Sequence, residues 1–338
     1  MFSKVMGGVE QSFLDYNQAL VMQGFDVLPI IHPKAKVRPF IHGKCALVNN
    51  FSRYDLFAVH KLRKLIEQEN PQCIISHSGR STALFKLVHN TAPIIAVSHN
   101  SQFKPFIGVD AIISVNSQMR EAIIKAGQPE ETVYCVPDMI HIPEDLTFVT
   151  PKFQSPPTIG MIARFEPKKG IDVFLKALAI LKQKGIPFRG VIAGDGDYRR
   201  KVDQLIAKLN LRADVELLGW ISDKKDFYRQ LDIFCLPSNI EPFGIVVLEA
   251  FMYSVPSVVS DTEGPSDIAT HEKNALIFPR GDAEKLAQSL ERLIKDQEFT
   301  TNLAKGAYER VQYYSMLNIS RLLQRTIEEV RFHHITYR

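Results

Sequence analysis

Two domains of parallel α/β architecture are what this 338-residue sequence predicts, and three observations predict them. Short apolar runs alternate with amphipathic helical stretches along most of the chain, the pattern of strand–helix–strand units. The alternation breaks at residues 142–158, IPEDLTFVTPKFQSPPT, a linker-like stretch with four prolines and no periodicity, and then restarts. The length is about twice that of a typical domain. Hydrophobic residues make up 45% and charged residues 23%, an ordinary globular composition.

In the first half, Val9, Phe13, Tyr16 and Leu20 recur at helical spacing, and Gly24 is a natural stop. FDVLPII reads as a buried strand, DLFAVHKLRKLIEQEN as a helix, QCIISHS as a strand, RSTALFKLVHN as a helix and PIIAVSH as a strand. DAIISVN, the helix SQMREAIIKAG and the strand TVYCVP complete that half. After the linker, PTIGMIA is a strand, IDVFLKALAILKQKG a helix and RGVIAGDG a strand. YRRKVDQLIAKLNL, VELLGW, DFYRQL, DIFCLPS and FGIVVLEAFMYS continue the alternation, and VPSVVSD, NALIFPR and DAEKLAQSLERLIKD finish it. The expected domains are residues 1–150 and 151–306, both Rossmann-like, with a helical segment over 307–338.

Composition narrows the function classes. No apolar run approaches the ~20 residues of a membrane span and no signal peptide opens the chain, so a cytoplasmic protein is expected. The four cysteines, Cys45, Cys73, Cys135 and Cys235, form no CxxC pair, and three lie in strand-like stretches, which predicts buried reduced thiols. Net charge is +4 but uneven: residues 1–128 hold 14 Lys and Arg against 8 Asp and Glu. The run His32-Pro33-Lys34-Ala35-Lys36-Val37-Arg38-Pro39-Phe40 is either a solvated basic loop or a surface drawn to anionic lipid or phosphorylated glycan. No nucleic-acid motif accompanies the charge, so no nucleic-acid partner is expected.

In open parallel sheets ligands bind outside the carboxyl ends of the strands, which makes a cleft between the two domains the expected site. Arg164-Phe165-Glu166-Pro167-Lys168-Lys169-Gly170 follows one such strand and precedes a helix, where cations neutralise a diphosphate; alone it also reads as a charged turn. Gly194-Asp195-Gly196 marks a close backbone passage at another strand end. Glu241-Pro242-Phe243-Gly244-Ile245-Val246-Val247-Leu248-Glu249 is the most informative stretch. Glu249 lies in an otherwise apolar helix, where an unpaired carboxylate is costly, so it accepts either from a ligand's cis-diol or from an internal salt bridge. Glu241 precedes that helix and can take further hydroxyls, while the amides of Phe243, Gly244 and Ile245 face any anion at the helix start. His77 and His99 each end a first-half strand, as structural hydrogen-bonders or as site residues. No cluster has metal-ligand spacing, and no nucleophile elbow or Cys–His arrangement occurs.

Gly7-Gly8-Val9-Glu10 resembles the turn of a phosphate-binding strand–loop–helix unit, yet only six residues precede it. Removing a central strand strips two neighbours of their ladder bonds. A natural start about ten residues upstream, or a truncated and impaired product, is therefore expected.

ARFEPKKG, AGDG, LGW and SNIEPFGIVVLEA resemble glycosyltransferase family 4, the large retaining group with the GT-B fold, two Rossmann-like domains facing across a cleft. GGVE, the strand-ending histidines and TVYCVPD resemble its first domain, so the likeness runs from Gly7 to about Asp296. The resemblance implies that Arg164 and Lys169 bind the donor diphosphate and stabilise it as leaving group. It implies that Glu249 holds the ribose and that Glu241, with the Phe243, Gly244 and Ile245 backbone, holds the transferred sugar. Gly7 and Gly8 would approach the donor from the first domain, with His99 beside the reacting sugar. Gly194 would line the donor site, the nucleobase would lie near Leu218, Gly219 and Trp220, and the final helix would cross back to the first domain. Two segments depart from the family pattern: Pro137-Asp138-Met139 stands for Pro-Asn-Gly, and Glu263-Gly264-Pro265 for Gly-Gly.

The implied activity is retaining, metal-independent transfer of a hexose from a nucleotide-diphosphate sugar, with no cofactor, to a glycan or lipid-linked acceptor. Lipopolysaccharide or another envelope glycan is the leading acceptor, with peripheral contact at the inner face of the cytoplasmic membrane. The other readings are a nucleotide-sugar epimerase or phosphorylase on the same fold, and a nucleotide-sugar-binding remnant without transfer.

Overall fold

The computed structural model describes residues 7–88, 91–221 and 223–336. Residues 1–6, which leave room for no more than a remnant of the strand that the sequence lacks ahead of Gly7, fall outside the described residues. The chain forms two compact units, Met1–Met139 with Ser315–Arg338, and Ile140–Tyr314.

The first unit runs through α1 (Gly8–Met22), β1 (Ile30–Ile31), β2 (Ala46–Leu47), α2 (Leu56–Glu69), β3 (Ile74–Ser76), α3 (Gly79–Lys86), β4 (Ile94–Ser98), β5 (Ala111–Ser114), α4 (Ser117–Lys125) and β6 (Val133–Cys135). Strands β3-β4-β5-β6 form one parallel sheet in that order, and β1 and β2 form a separate parallel pair. β4 and β5 are buried along their whole length, which is why IIAVS and AIIS read as continuous apolar runs. The helices start where short polar side chains cap them: Asp55, Ser78 and Asn116 accept from the amides of α2, α3 and α4.

The second unit contains β7 (Thr158–Ile162), α5 (Ile171–Gln183), β8 (Arg189–Ala193), α6 (Arg199–Lys208), β9 (Val215–Gly219), α7 (Lys225–Arg229) and β10 (Ile233–Leu236). It continues with α8 (Ile245–Met252), β11 (Ser257–Ser260), α9 (Glu263–Ile268), β12 (Leu276–Phe278), α10 (Ala283–Lys295) and α11 (Gln297–Tyr313). Its six-stranded parallel sheet has the order β9-β8-β7-β10-β11-β12. The winding reverses between β7 and β10, so the crevice at their carboxyl ends is the ligand position of this topology. A last helix, α12 (Met316–Thr336), belongs to the first unit, where Ile319, Leu323 and Ile327 join Tyr16, Ala19 and Leu20 of α1 in one buried cluster.

Several local expectations are corrected. FDVLPII yields only the two-residue β1, whose one partner among the described residues is β2; Phe25–Ile30 instead line a cavity of about 590 Å3 shared with Cys73–Ser76. Residues 142–158 are not a free linker. The amide of Val149 donates to Ser254 Oγ (3.1 Å), that of Gln154 to Asp232 Oδ1 (3.2 Å), and Tyr308 donates to the Leu146 carbonyl (2.8 Å). Only Cys235 is buried; Cys45 and Cys73 are half-buried and Cys135, on the edge strand β6, is exposed. α9 carries no helical signal in the sequence, because EGPSDI is short and has no apolar period. In the basic run, Ala35 and Val37 pack on Ile31 while Lys34, Lys36 and Arg38 alternate outward into solvent.

Candidate active site

At the carboxyl end of β7, Arg164 Nη1 approaches Glu166 Oε1 at 3.2 Å and Lys168 Nζ approaches Glu166 Oε2 at 2.8 Å. These two cations hold the Glu166 carboxyl below the usual carboxylate range, Lys168 contributing most. Lys169 turns the other way and donates to Glu241 Oε2 at 2.7 Å, with Ser238 Oγ donating to the same oxygen at 3.1 Å. The pair joins the loops that follow β7 and β10, the two strands flanking the switch point. Only glycine fits at the crossing: Gly170 has φ +66°, and a Cβ there would lie 1.8 Å from the Pro237 carbonyl oxygen. Gly194, at φ +117°, is confined in the same way against the Ala163 carbonyl, at 1.9 Å. Its amide donates to the Gly219 carbonyl at 2.7 Å, which draws the ends of β7, β8 and β9 together.

Gly244, at φ +92°, ends the loop and opens α8, directing the first amides of that helix outward. Gly264 packs so closely under this loop that a Cβ would meet the Phe243 backbone at 2.2 Å, and its amide donates to the Glu241 carbonyl at 3.0 Å. The departure Glu263-Gly264-Pro265 therefore keeps the one glycine that the packing requires. Leu218 is half-buried and Trp220 is exposed beside Gly219.

Glu249 has the internal partners that the sequence left as an alternative. Lys224 Nζ donates to Oε1 and Tyr228 OH to Oε2, each at 2.6 Å. Burial pushes the Tyr228 phenol well above its ordinary value, with the Glu249 charge adding to it, so it stays a donor. Each Glu249 oxygen still has a second lone pair for a ligand hydroxyl. Neither Lys224 nor Tyr228 is visible as a partner in the sequence, because they come from α7 and its approach rather than from α8.

In the first unit, His77 follows β3 and His99 follows β4. His77 Nδ1 and His99 Nε2 lie 3.1 Å apart, with the rings stacked at 14°. Phe13 and Tyr16 meet His77 edge-on. Asp138, one of the departures from the family pattern, reaches to 4.0 Å from His99 Nδ1 and accepts from Ser12 Oγ at 2.8 Å. Burial lowers both imidazoles, His77 far below its ordinary value, so the pair is uncharged at neutral pH. Burial likewise raises the Asp138 carboxyl. Gly7 caps α1 in an extended conformation, and none of the described residues stands within 4 Å of where a Gly8 Cβ would be.

Burial also pushes Asp15 on α1 up to about 7, against a hydrogen bond from Gln11 and with the Asp138 charge adding to the rise. A carboxyl raised in the folded state stabilises the fold below its unfolded pKa of 3.8, and that contribution is lost as pH rises through about 7. Asp15→Asn is therefore expected to be about 1 to 2 kcal/mol more stable than the parent at pH 8, a figure discounted for partial solvent exposure. Denaturant midpoints should show the difference vanishing near pH 4.

Lys169, Glu241, Gly244 and Ser238 thus meet at one place, with Gly194 and Gly219 joined one strand further on and Glu249 held within α8. Among the described residues no group of three His, Cys, Asp or Glu comes together as a metal site. Residues 144–310 match the family model of glycosyl transferases group 1, and residues 6–142 match that of Glycosyltransferase Family 4. The chain belongs to the glycosyltransferases. This glycosyltransferase is 24% identical over 314 residues to the lipopolysaccharide core biosynthesis glycosyltransferase LpsE of Rhizobium meliloti (strain 1021), covering 90% of each chain. Its fold superposes on HepE of Anabaena, solved in complex with UDP, with a TM-score of 0.83 at 19% identity over 97% of this chain and 98% of that one. The lipopolysaccharide outer core galactosyltransferase WaaB in its apo form gives a TM-score of 0.80 at 17% identity, over 97% and 98%. The fold of the glycosyltransferase is accordingly GT-B.

Proposed function

We propose that this glycosyltransferase moves a hexose from a nucleotide-diphosphate sugar to a glycan or lipid-linked acceptor in envelope polysaccharide synthesis. The observation that carries the reading is the meeting of Lys169 and Glu241 at the β7–β10 switch point, with Arg164 following the same strand end of β7 and α8 opening after the β10 loop. The lipopolysaccharide core name of LpsE, and the structures of HepE with UDP and UDP-glucose, support the donor and acceptor classes.

The chemistry follows from charge. As the bond between the sugar and the diphosphate breaks, negative charge grows on the leaving phosphate, and Arg164 and Lys169 compensate it in place. Glu241 receives the sugar hydroxyls and positions Lys169 for the phosphate. Glu249, oriented by Lys224 and Tyr228, takes the ribose hydroxyls, and the Phe243, Gly244 and Ile245 backbone and Gly194 complete the donor's surroundings. Leu218 and Gly219 take the base. The parts of Gly7, Gly8 and His99 rest on the family resemblance. The acceptor hydroxyl attacks from the face the leaving group vacates, a phosphate oxygen takes its proton, and the anomeric configuration is retained without a covalent enzyme intermediate. We assign no metal or other cofactor to these steps.

Among the described residues no helix is long and apolar enough to cross a membrane. A cytoplasmic protein that docks peripherally at the inner face through its basic first unit is part of the same proposal.

The test uses UDP-glucose with an envelope glycan extract, following product by mass and the new anomeric centre by NMR, with and without EDTA. An α-linked product formed in EDTA is expected; an inverted centre or loss of turnover in EDTA would remove those parts. Without acceptor, slow donor hydrolysis is expected, whereas a new sugar nucleotide would identify an epimerase and tight binding without any turnover a remnant. Glu249→Gln should raise the donor KM about tenfold to a hundredfold, since a hydrogen bond to a charged group is worth about 1.5 to 3 kcal/mol. An unchanged KM would remove Glu249 from the ribose.

A further inference from the structure

The first unit holds a pocket of about 890 Å3 where β3 and β4 end, with His77 and His99 among its lining. Val9 of α1, the loop through Phe51 and Tyr54, the start of α3, and the stretch from Asn100 to the turn Lys104–Phe106 wall it. Arg53, Arg80, Lys86 and Lys104 line it, and among the described residues no Asp or Glu does. The side chains of Arg80 and Lys104 make no ion pair or hydrogen bond to any described residue.

The walls are built rather than loose. The Asp55 carboxylate accepts from the amides of Phe51 (2.9 Å), Phe57 (3.0 Å) and Ala58 (3.1 Å), fixing the loop that carries Arg53. These backbone bonds hold its carboxyl below the usual range. Lys86 Nζ donates to the carbonyls of Pro105 (3.2 Å) and Ile107 (2.6 Å), tying α3 to the turn that presents Lys104. Gly79 lets the two approach, since a Cβ there would already lie 3.1 Å from the Pro105 ring.

Like charges gathered around one pocket repel each other, and an anion relieves that repulsion. Phe51 and Tyr54 are 84% and 67% exposed at the rim, flat faces suited to a sugar ring beside such an anion. The basic run 32–40 contributes nothing to the lining, so this is a separate use of the unit's positive charge.

We propose that this pocket binds the acceptor through a phosphate group that the acceptor carries, with Arg80 and Lys104 as its principal partners. The proposal rests on the glycosyltransferase reading, whose donor site lies in the second unit. Binding to the full-length chain is measured with three probes in parallel: glucose 6-phosphate against glucose, vesicles of phosphatidylcholine with or without phosphatidic acid, and UDP. Glucose 6-phosphate is expected to bind where glucose does not. The double variant Arg80→Gln/Lys104→Gln should weaken it about tenfold, with UDP binding unchanged. Arg80→Lys/Lys104→Arg keeps both charges and should retain the binding, and added salt should weaken it. A loss confined to the phosphatidic acid vesicles would also support the proposal and place the phosphate on a lipid. Equal binding by parent and double variant for both phosphate probes would overturn it. Failure of the parent to bind UDP would count against the donor reading, leaving the pocket to be judged by its own variants.

Discussion

Lys169→Ala is expected to lower kcat for sugar transfer by about a hundredfold to a thousandfold, the usual loss when one preorganised group facing a developing anion is removed. The geometry makes the effect a double one. The ammonium is lost from the switch point, and the Glu241 carboxylate, buried and bound to it at 2.7 Å, is left with Ser238 as its one side-chain partner among the described residues. Lys169→Arg keeps the charge but cannot keep the short contact to one oxygen in the same space, so it should recover part of the rate. Steady-state kinetics with UDP-glucose would separate the outcomes. Near-normal turnover in the alanine variant, with the fold intact by circular dichroism, would sink the role given to Lys169.

The second large effect is structural. Gly170→Ala would set a Cβ 1.8 Å from the Pro237 carbonyl at a positive φ, a clash with backbone that no rotamer relieves. A loss of about 3 kcal/mol or more is expected, and a fall of about 10 °C in the melting temperature of the second unit. Gly194→Ala should behave alike, through Ala163. A glycine substitution with open space around it, Gly185→Ala, meets no such contact and carries only the cost of its φ of +71°. Melting curves of the three variants would rank steric contact against backbone strain.

Much of this architecture is legible because parallel strands write themselves as apolar runs. PTIGMIA, RGVIAGDG and DIFCLPS each contain the strand observed, and Arg164, Lys169 and Glu241 lie at strand ends where such a sheet binds ligands. What is not legible depends on partners remote in sequence. The Glu249 carboxylate is satisfied by Lys224 and Tyr228, more than twenty residues away, and hydropathy carries no trace of that pairing. Asp138 is marked in the sequence only as a departure from a family pattern, and its position by His99 depends on how the chain leaves β6. FDVLPII has the composition of a strand, but a strand exists only where a neighbour supplies the other half of its hydrogen bonds. The pocket lined by Arg80 and Lys104 is hidden in the sequence for the same reason: its four cations come from three segments that are unremarkable one at a time.

The return of α12 to the first unit has a consequence for biosynthesis. The second unit is one uninterrupted stretch, Ile140–Tyr314, and can close as soon as that stretch has left the ribosome. The first unit emerges earlier but lacks Ile319, Leu323 and Ile327, which lie buried with Tyr16 and Leu20 in the finished core. The order of emergence is therefore inverted in the order of completion. A nascent chain arrested before α12 should present a protease-resistant second unit behind a first unit that is still cleaved.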